Sequence, residues 1–241
     1  MENKIIIGNM KMYMNIDDVK DYITKVDKYN NVILCPTNIY IPYFLEKDYK
    51  LGIQNIYYED NGAYTGEVSV TQVKKIGINY VIIGHSERRK YFFETDYDVN
   101  KKLLKSLEND LDTILCIGED IDDRNNLNTN KVLIEQIEIA LNNINSKYEN
   151  NIIIAYEPKW AIGTGLIPSN NEIINAVDFI KSFVFDKYKM NVKVVYGGSV
   201  SDSNIKLLSK IDNIDGFMIG GACTNPDIFL KIISIINSSD K

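Results

Sequence analysis

The chain is poor in the residues that build many common functional sites, since its 241 residues include one histidine and three cysteines. One histidine excludes sites that need several imidazoles, such as HExxH motifs or His-rich zinc clusters. The cysteines lie far apart, no CxxC occurs, and an odd count argues against a disulfide framework. Cys35 and Cys116 lie inside apolar runs, so we expect buried thiols. A reducing, cytoplasmic location is the default expectation.

Long apolar runs and an excess of basic residues are also missing. No run approaches the roughly 18 apolar residues that a membrane span needs, and the start MENKIIIGNMK lacks the features of a signal peptide. The chain has 33 acidic and 27 basic side chains, for a net charge of -6. A nucleic-acid or anionic-membrane binder would need a basic face. We therefore expect neither partner.

Eight short β-branched runs are present, each followed by a polar or glycine-bearing turn and a longer amphipathic stretch. The runs are Lys4–Gly8, Asn31–Cys35, Leu51–Gln54, Tyr80–Gly84, Thr113–Gly118, Asn151–Tyr156, Val192–Gly197 and Gly216–Gly220. They are continuously apolar, which is typical of parallel strands buried on both faces. Eight strand-then-helix units predict an α/β fold, a closed (β/α)8 barrel. A doubly wound open sheet has the same alternation and remains an alternative.

The amphipathic stretches between the runs predict helices. They are Ile16–Tyr29, Asp96–Leu107, Asn130–Ile144, Asn170–Phe185, Ser203–Ile211 and Asp227–Ile236, with weaker patterns near Tyr40–Glu46 and Thr71–Ile76. Ser169 and Glu172 have the spacing of a capping box before Ile173. No linker, low-complexity tract or shift in composition divides the chain, so we expect a single domain over residues 1–241.

Polar residues gather where the predicted strands end, and in a parallel barrel these ends meet at one rim. Lys11 follows the first strand and is either a solvated end or a fixed positive charge for an anionic substrate. His85 follows the fourth strand and precedes what resembles the start of a short helix. Backbone amides at a helix N-terminus disfavour a positive charge. We therefore expect a neutral imidazole that can donate a hydrogen bond.

The sixth strand ends in Glu157, a carboxylate that is costly to bury unless it is paired or used. Pro158 restricts the backbone at the start of the next segment, and Gly163-Thr164-Gly165 makes the backbone flexible at its end. The only tryptophan lies between them. This composition is typical of a hinged lid. Glycine pairs follow the seventh and eighth strands, Gly197-Gly198 and Gly220-Gly221, where backbone amides can approach a phosphate closely.

Taken together, these segments resemble the triosephosphate isomerase family. The shared motifs, in the family's order and spacing, are GNMK at 8–11, GAYTGE at 62–67, GHSERR at 84–89, AYEP at 155–158, WAIGTG at 160–165, YGGSV at 196–200 and GGA at 220–222. The combination of AYEPxWAIGTG with GHSERR is very specific. The resemblance implies a single TIM barrel, a homodimer without cofactor or metal, and interconversion of dihydroxyacetone phosphate and glyceraldehyde 3-phosphate in glycolysis and gluconeogenesis.

The resemblance also implies a role for each site residue. Glu157 is the general base, and a neutral His85 polarises the carbonyl and moves protons between the enediol oxygens, a division of labour attributed to this family. Asn9 and Lys11 hold the substrate and the negative charge that develops on it. The backbone around four further residues is expected to hold the phosphate: Gly163, Ser199, Gly220 and Gly221.

Some expectations concern residues around this site. Thr65, on the Gly62–Glu67 loop, is expected to enter the neighbouring subunit, and Gln54-Asn55 also marks the interface. Met218 stands where the family usually has a leucine that, with Ile162, walls the base. Two further positions depart from the usual pattern of the family. Lys159 occupies a variable hinge position, and Cys223 is expected to be a packing residue.

Two other functions stay open from the residues alone. One is another phosphate-binding barrel enzyme, such as a sugar-phosphate epimerase, which commonly uses a metal or paired acids. The other is a non-catalytic binding protein on the same barrel, which would need to have lost the catalytic residues.

Overall fold

A computed structural model describes residues 3–164 and 166–239, and within them eight parallel strands close into a barrel. The strands are β1 Ile5–Asn9, β2 Val32–Cys35, β3 Lys50–Ile53, β4 Tyr80–Ile83, β5 Asp112–Ile117, β6 Ile152–Tyr156, β7 Lys193–Tyr196 and β8 Gly216–Ile219. Each strand pairs with the next, and β8 pairs with β1. This closure confirms the (β/α)8 prediction and excludes the open sheet.

Every strand is followed by at least one α-helix within the described part of the chain. The helices are α1 Ile16–Lys25, α2 Ile41–Leu45, α3 Val70–Lys75, α4 Ser86–Phe92, α5 Asp96–Glu108, α6 Ile121–Asn125, α7 Thr129–Ala140, α8 Asn170–Tyr188, α9 Ile205–Leu208 and α10 Pro226–Ser239. Both weakly marked helices are present, as α2 and α3. None of the helices in these residues is long and apolar enough to cross a membrane.

Local side-chain bonds decide where several helices begin and end. The predicted capping box of α8 is confirmed, since Ser169 accepts from the Glu172 amide while Glu172 accepts from the Ser169 amide. The helix predicted over Ser203–Ile211 is shorter than expected, at Ile205–Leu208. Asn204 Oδ1 accepts from the backbone N–H of Ser201 and stabilises a turn there. Such local bonds compete with helical ones.

Alternate residues of each strand point to opposite sides of the barrel wall, which explains why the runs are apolar throughout. The barrel interior holds one set: Ile7, Ile33, Cys35, Ile82, Ile114, Cys116, Ile153, Ala155, Val195 and Met218. The intervening residues, such as Ile6 and Ile154, pack against the surrounding helices. Two apolar layers therefore hold the strands rigidly, and the polar residues are left to the rim.

Candidate active site

All eight residues singled out in the sequence line one cavity of about 510 Å³ at the carboxyl ends of the strands. They are Asn9, Lys11, His85, Glu157, Gly163, Ser199, Gly220 and Gly221. They come from the ends of five different strands, β1, β4, β6, β7 and β8. Closure of the barrel thus brings together residues from near the start and near the end of the chain, such as Asn9 and Gly221.

The end of β1 places a lysine in an unusual backbone conformation. Lys11 has a φ of 51°, in the left-handed region that few residues other than glycine adopt. Three side chains hold this turn: Asn9 Oδ1 accepts from the Lys11 amide, while Thr37 and Gln54 donate to the Lys11 carbonyl. The Nζ atom bonds Glu87 Oε1 at 2.6 Å. Such strain persists where surroundings enforce it, often at functional sites.

The end of β4 places His85 at the N-terminus of α4, as the sequence predicted. Its side chain is buried, and its Nδ1 accepts from the backbone N–H of Glu87 at 3.2 Å. This bond leaves a lone pair on Nδ1, so in the neutral imidazole the proton lies on Nε2. Nε2 lies 3.1 Å from Oε1 of Glu157. The α4 terminus therefore selects the tautomer and directs its N–H toward the carboxylate.

The end of β6 delivers Glu157 into a buried position beside the histidine. Only 2% of the residue is exposed. Its Oε2 accepts from the backbone N–H of Ser86 at 3.3 Å, while Oε1 faces His85. The carboxylate is therefore held by two groups from the same β4–α4 junction.

The two side chains change each other's pKa in opposite directions. Burial lowers the pKa of His85, but the Glu157 carboxylate outweighs burial and raises this pKa above its ordinary value. Burial raises the pKa of Glu157, but His85 outweighs it and the pKa is lowered. The expectation of a neutral histidine rested on the helix terminus and on the family resemblance, and it did not include the effect of this carboxylate on the pKa. Each side chain thus shifts the other toward its charged form, and the neutral histidine expected from the sequence remains a prediction.

The glycines after β8 allow the lysine side chain to lie against the backbone. A Cβ on Gly220 would lie 3.2 Å from Lys11 Cε. A short 3-10 turn, Gly221–Thr224, follows directly. Ser199, after β7, donates from its hydroxyl to the Ala161 carbonyl at 2.5 Å and so contacts the segment that follows β6. Gly220 therefore lies against the Lys11 side chain, whereas Ser199 lies against the segment that follows β6.

The segment predicted as a lid begins with a 3-10 turn, Lys159–Ala161, and closes one side of the cavity. Gly163 has a φ of 68°, and its end of the segment is exposed. Gly165, the last residue of the predicted lid, lies outside the described residues. Ile162 and Met218 both line the cavity that contains the carboxylate, as the resemblance implied.

Two functional contacts around the base were missed by the sequence reasoning. Glu119 is buried and its Oε1 accepts from the Trp160 indole N–H at 2.9 Å and from the Tyr156 hydroxyl at 3.2 Å. Glu119 follows an apolar strand just as Glu157 does, so the same signal could have found it. Gln136, on α7, bonds both backbone groups of Gly118. No local pattern marks that glutamine.

The three thiols are buried, as expected for Cys35 and Cys116 and for the packing role given to Cys223. Burial raises the pKa of Cys35 to about 12 and also raises that of Cys223. The pKa of Cys116 is raised by burial and then by Glu157. Buried thiols with raised pKa values are inert at neutral pH.

Comparison with known proteins agrees with this geometry. A protein-family model described as triosephosphate isomerase matches residues 4–236. The chain belongs to the triosephosphate isomerase family. Curated relatives with that name include proteins of Clostridium tetani, 40% identical over 97% of each chain, and of Francisella philomiragia, 39% identical over 97% of each chain. A protein of Thermodesulfovibrio yellowstonii is 40% identical over 97% of this chain and 99% of its own.

The family membership covers the complete barrel, because the match runs from the first strand into α10. Among residues 3–164 and 166–239, no group of histidine, cysteine, aspartate or glutamate side chains is arranged to hold a metal ion.

Proposed function

We propose that this chain catalyses the reversible interconversion of dihydroxyacetone phosphate and D-glyceraldehyde 3-phosphate. The observation that carries the proposal is the placement of His85 Nε2 3.1 Å from Glu157 Oε1, in a cavity that also contains Lys11. Membership of the triosephosphate isomerase family supports it. The reaction moves one proton between adjacent carbons, so it needs a base, donors for the carbonyl oxygen and a phosphate site.

Glu157 is the proposed base. It removes a proton from the carbon next to the carbonyl, and the electron pair moves to the carbonyl oxygen to form an enediolate. His85 gives a proton to that oxygen and takes one from the neighbouring hydroxyl group, and return of the first proton to the neighbouring carbon then completes the isomerisation. A base works best when its pKa lies near the operating pH. His85 now holds the pKa low, so a substrate carbonyl that takes over the His85 N–H would release the carboxylate and raise that pKa.

His85, Lys11 and Asn9 are the proposed donors to the oxygens of the substrate. Preorganised donors at an oxygen that becomes negative are often the largest catalytic contribution, about 3–4 kcal/mol each. His85 is preorganised because the Glu87 amide sets its tautomer. Lys11 is preorganised because its backbone and its ammonium group are both held. Asn9 contacts the same turn through its Oδ1.

The proposed phosphate site lies between the lid segment and the ends of β7 and β8. Gly163, Ser199, Gly220 and Gly221 line this side of the cavity. Backbone N–H groups bind phosphate well where no side chain intervenes, and the loops after strands seven and eight often do so in these barrels. Lys11 adds the positive charge that an acidic protein needs locally to attract a dianion.

The Pro158–Gly165 segment is the proposed lid. Its closing would remove water from an enediolate that otherwise loses phosphate. It would also remove water of the cavity from around the Glu157 carboxylate, and such desolvation raises the pKa of a carboxyl group.

We also propose that the protein acts as a homodimer in the cytoplasm, in glycolysis and gluconeogenesis. A second cavity of about 650 Å³ lies beside Lys11 and is lined by Gln54 and Glu87. Large apolar side chains around it are exposed, including Met12 at 89% and Phe92 at 65%. A groove with exposed apolar edges next to the active-site lysine suits the Gly62–Glu67 loop of a second copy.

Steady-state assays with each triose phosphate, with and without a chelator, test the activity. We expect turnover in both directions that the chelator leaves unchanged, and Glu157→Gln should abolish most of it. Activity only with an added metal, or full activity in Glu157→Gln, would contradict the proposal.

Sedimentation at micromolar concentration tests the dimer, and a fully active monomer would disprove it.

A further inference from the structure

The only tryptophan is held from two sides at the start of the lid segment. Trp160 lies in the 3-10 turn Lys159–Ala161 and donates from its indole nitrogen to Glu119. The guanidinium carbon of Arg124 lies 4.2 Å from the centroid of the Trp160 ring. A planar guanidinium at this distance stacks on an indole and is attracted by its π electrons.

Arg124 is itself fixed in place over the ring. It comes from α6, the short helix after β5, and both its Nε and its Nη2 bond Oε1 of Glu172, at 3.1 and 2.5 Å. The other carboxylate oxygen of Glu172 accepts from the amide and hydroxyl of Ser169, in the capping box of α8. The guanidinium is therefore held between the Trp160 ring and the Glu172 carboxylate.

These contacts connect the start of the lid segment with the helix that follows the lid. Trp160 lies in the first turn of the segment, shortly after the base, whereas Glu172 lies in the first turn of α8. Arg124 comes from the segment after the adjacent strand, β5, and bridges these two elements. A motion that displaces the tryptophan must break the stack or carry the arginine away from Glu172.

We propose that Arg124 is a positioning residue that holds Trp160 and thereby limits the motion of the lid's first turn. Lysine cannot replace it, because an ammonium group neither stacks nor bonds Glu172 through two nitrogens. The kinetic part of this proposal rests on the proposed isomerase function, since a lid closes over a phosphate only if the substrate carries one. The part that concerns Trp160 mobility does not.

The single tryptophan makes the proposal directly measurable. With excitation at the red edge of the indole absorption band, which avoids the 16 tyrosines, acrylamide quenching of the fluorescence reports only on Trp160. In Arg124→Gln we expect the Stern–Volmer constant, corrected for fluorescence lifetime, to rise about two-fold or more, with a smaller rise in Arg124→Lys. Glu172→Gln removes the ion pair but keeps a residue that suits the capping box. Its Stern–Volmer constant should therefore rise, but less than that of Arg124→Gln. Lys131→Gln removes an exposed cation from α7 and should change nothing.

Kinetics provide the second readout. With either triose phosphate, Arg124→Gln should raise KM about two- to five-fold, because closing a looser lid costs more entropy, while kcat changes less. Unchanged quenching in Arg124→Gln would overturn the proposal. If Arg124→Gln lowers Tm but leaves the quenching of the folded protein the same as in the parent, the proposal is also overturned, since Arg124 would then be purely structural. Altered quenching in a protein that lacks isomerase activity would support the positioning role and disprove the proposed function instead.

Discussion

His85 and Glu157 face each other at the mouth of the barrel, with Nε2 3.1 Å from Oε1, and each favours the charged form of the other. The contact joins the ends of β4 and β6, the two strands that flank β5 in the barrel. It has a direct chemical consequence, because the donor that a substrate needs and the base that attacks it are occupied with one another. Substrate binding must separate these two roles before a proton can move.

The first prediction concerns the pKa of His85 in the variant Glu157→Gln. The carboxylate is the largest cause that raises this pKa, whereas burial and Lys11 lower it. Removing the carboxylate should therefore lower the pKa of His85. NMR titration can follow this, since every imidazole resonance belongs to His85. Glu135→Gln, an exposed carboxylate on α7, is the control and should leave the titration unmoved. A higher pKa in Glu157→Gln would show that the pair is not coupled as described.

The second prediction is that Glu157→Asp lowers kcat about 10²-fold while changing KM little. The shorter side chain keeps the charge but withdraws the carboxylate, and a misplacement of about 1 Å at a reacting group can cost this much. Steady-state kinetics with glyceraldehyde 3-phosphate measure the effect, and circular dichroism checks the fold. A kcat near that of the parent protein would mean that another group acts as the base.

The third prediction concerns Gln136, which bonds the Gly118 amide at 2.8 Å and its carbonyl at 3.1 Å. Gly118 packs so tightly on the base that a Cβ would lie 1.8 Å from the Glu157 carbonyl oxygen. In Gln136→Met two buried backbone groups lose their partner, at a cost of about 1–3 kcal/mol each. We expect the free energy of unfolding in urea to fall by this order. We also expect kcat to fall, because the backbone that supports Glu157 shifts.

The exposed neighbour Glu135 supplies the matched control for that measurement, as Glu135→Met leaves Gly118 bonded. Equal stability of Gln136→Met and the parent protein would show that water or another group satisfies Gly118. A loss of stability with unchanged kcat would show that the Gly118 contact does not position the base.

The fourth prediction concerns a buried ion cluster beside the end of β4. Glu94 accepts from Lys102, from Arg88 Nε at 2.8 Å and from the Gly84 amide at 3.1 Å. Lys102 is also buried and bonds Asn55. Replacing Glu94 with glutamine leaves a buried ammonium group without its counter-charge. We expect this to destabilise the protein by roughly 3–5 kcal/mol at pH 7, measured by chemical denaturation.

The pH dependence of this effect follows from the pKa of Glu94. Burial raises the pKa, but Lys102 and Arg88 outweigh burial and lower it below its ordinary value. A lowered folded-state pKa stabilises the protein above the unfolded pKa, and this contribution is lost as the pH falls through the folded pKa. The difference between Glu94→Gln and the parent should therefore shrink in acid. A difference that grows on acidification would contradict the assignment.

Much of the fold and of the site could be predicted because both depend on local patterns of residue types along the chain. A strand buried on both faces must be apolar throughout, and eight such runs predicted the barrel. Polar residues directly after those runs had to share one rim. For this reason Lys11, His85 and Glu157 were expected together, and the structure places them around one cavity.

Other contacts could not be predicted in this way, because they depend on distances between elements. Gln136 lies on an amphipathic helix like many other polar residues, and only its packing against Gly118 gives it a partner. No sequence pattern singled out Arg124, and only the position of Trp160 in the fold reveals the stack. The effect of Glu157 on the pKa of His85 was missed for the same reason.

By itself, the sequence determined the kinds of group at the rim, the strands that present them and the family to which the chain belongs. The tertiary structure decided how these groups affect one another. A pKa depends on burial and on charges within a few ångströms, and the carboxylate that raises the pKa of His85 is far from it along the chain. Strand closure and helix packing set that distance, and local residue patterns do not contain it.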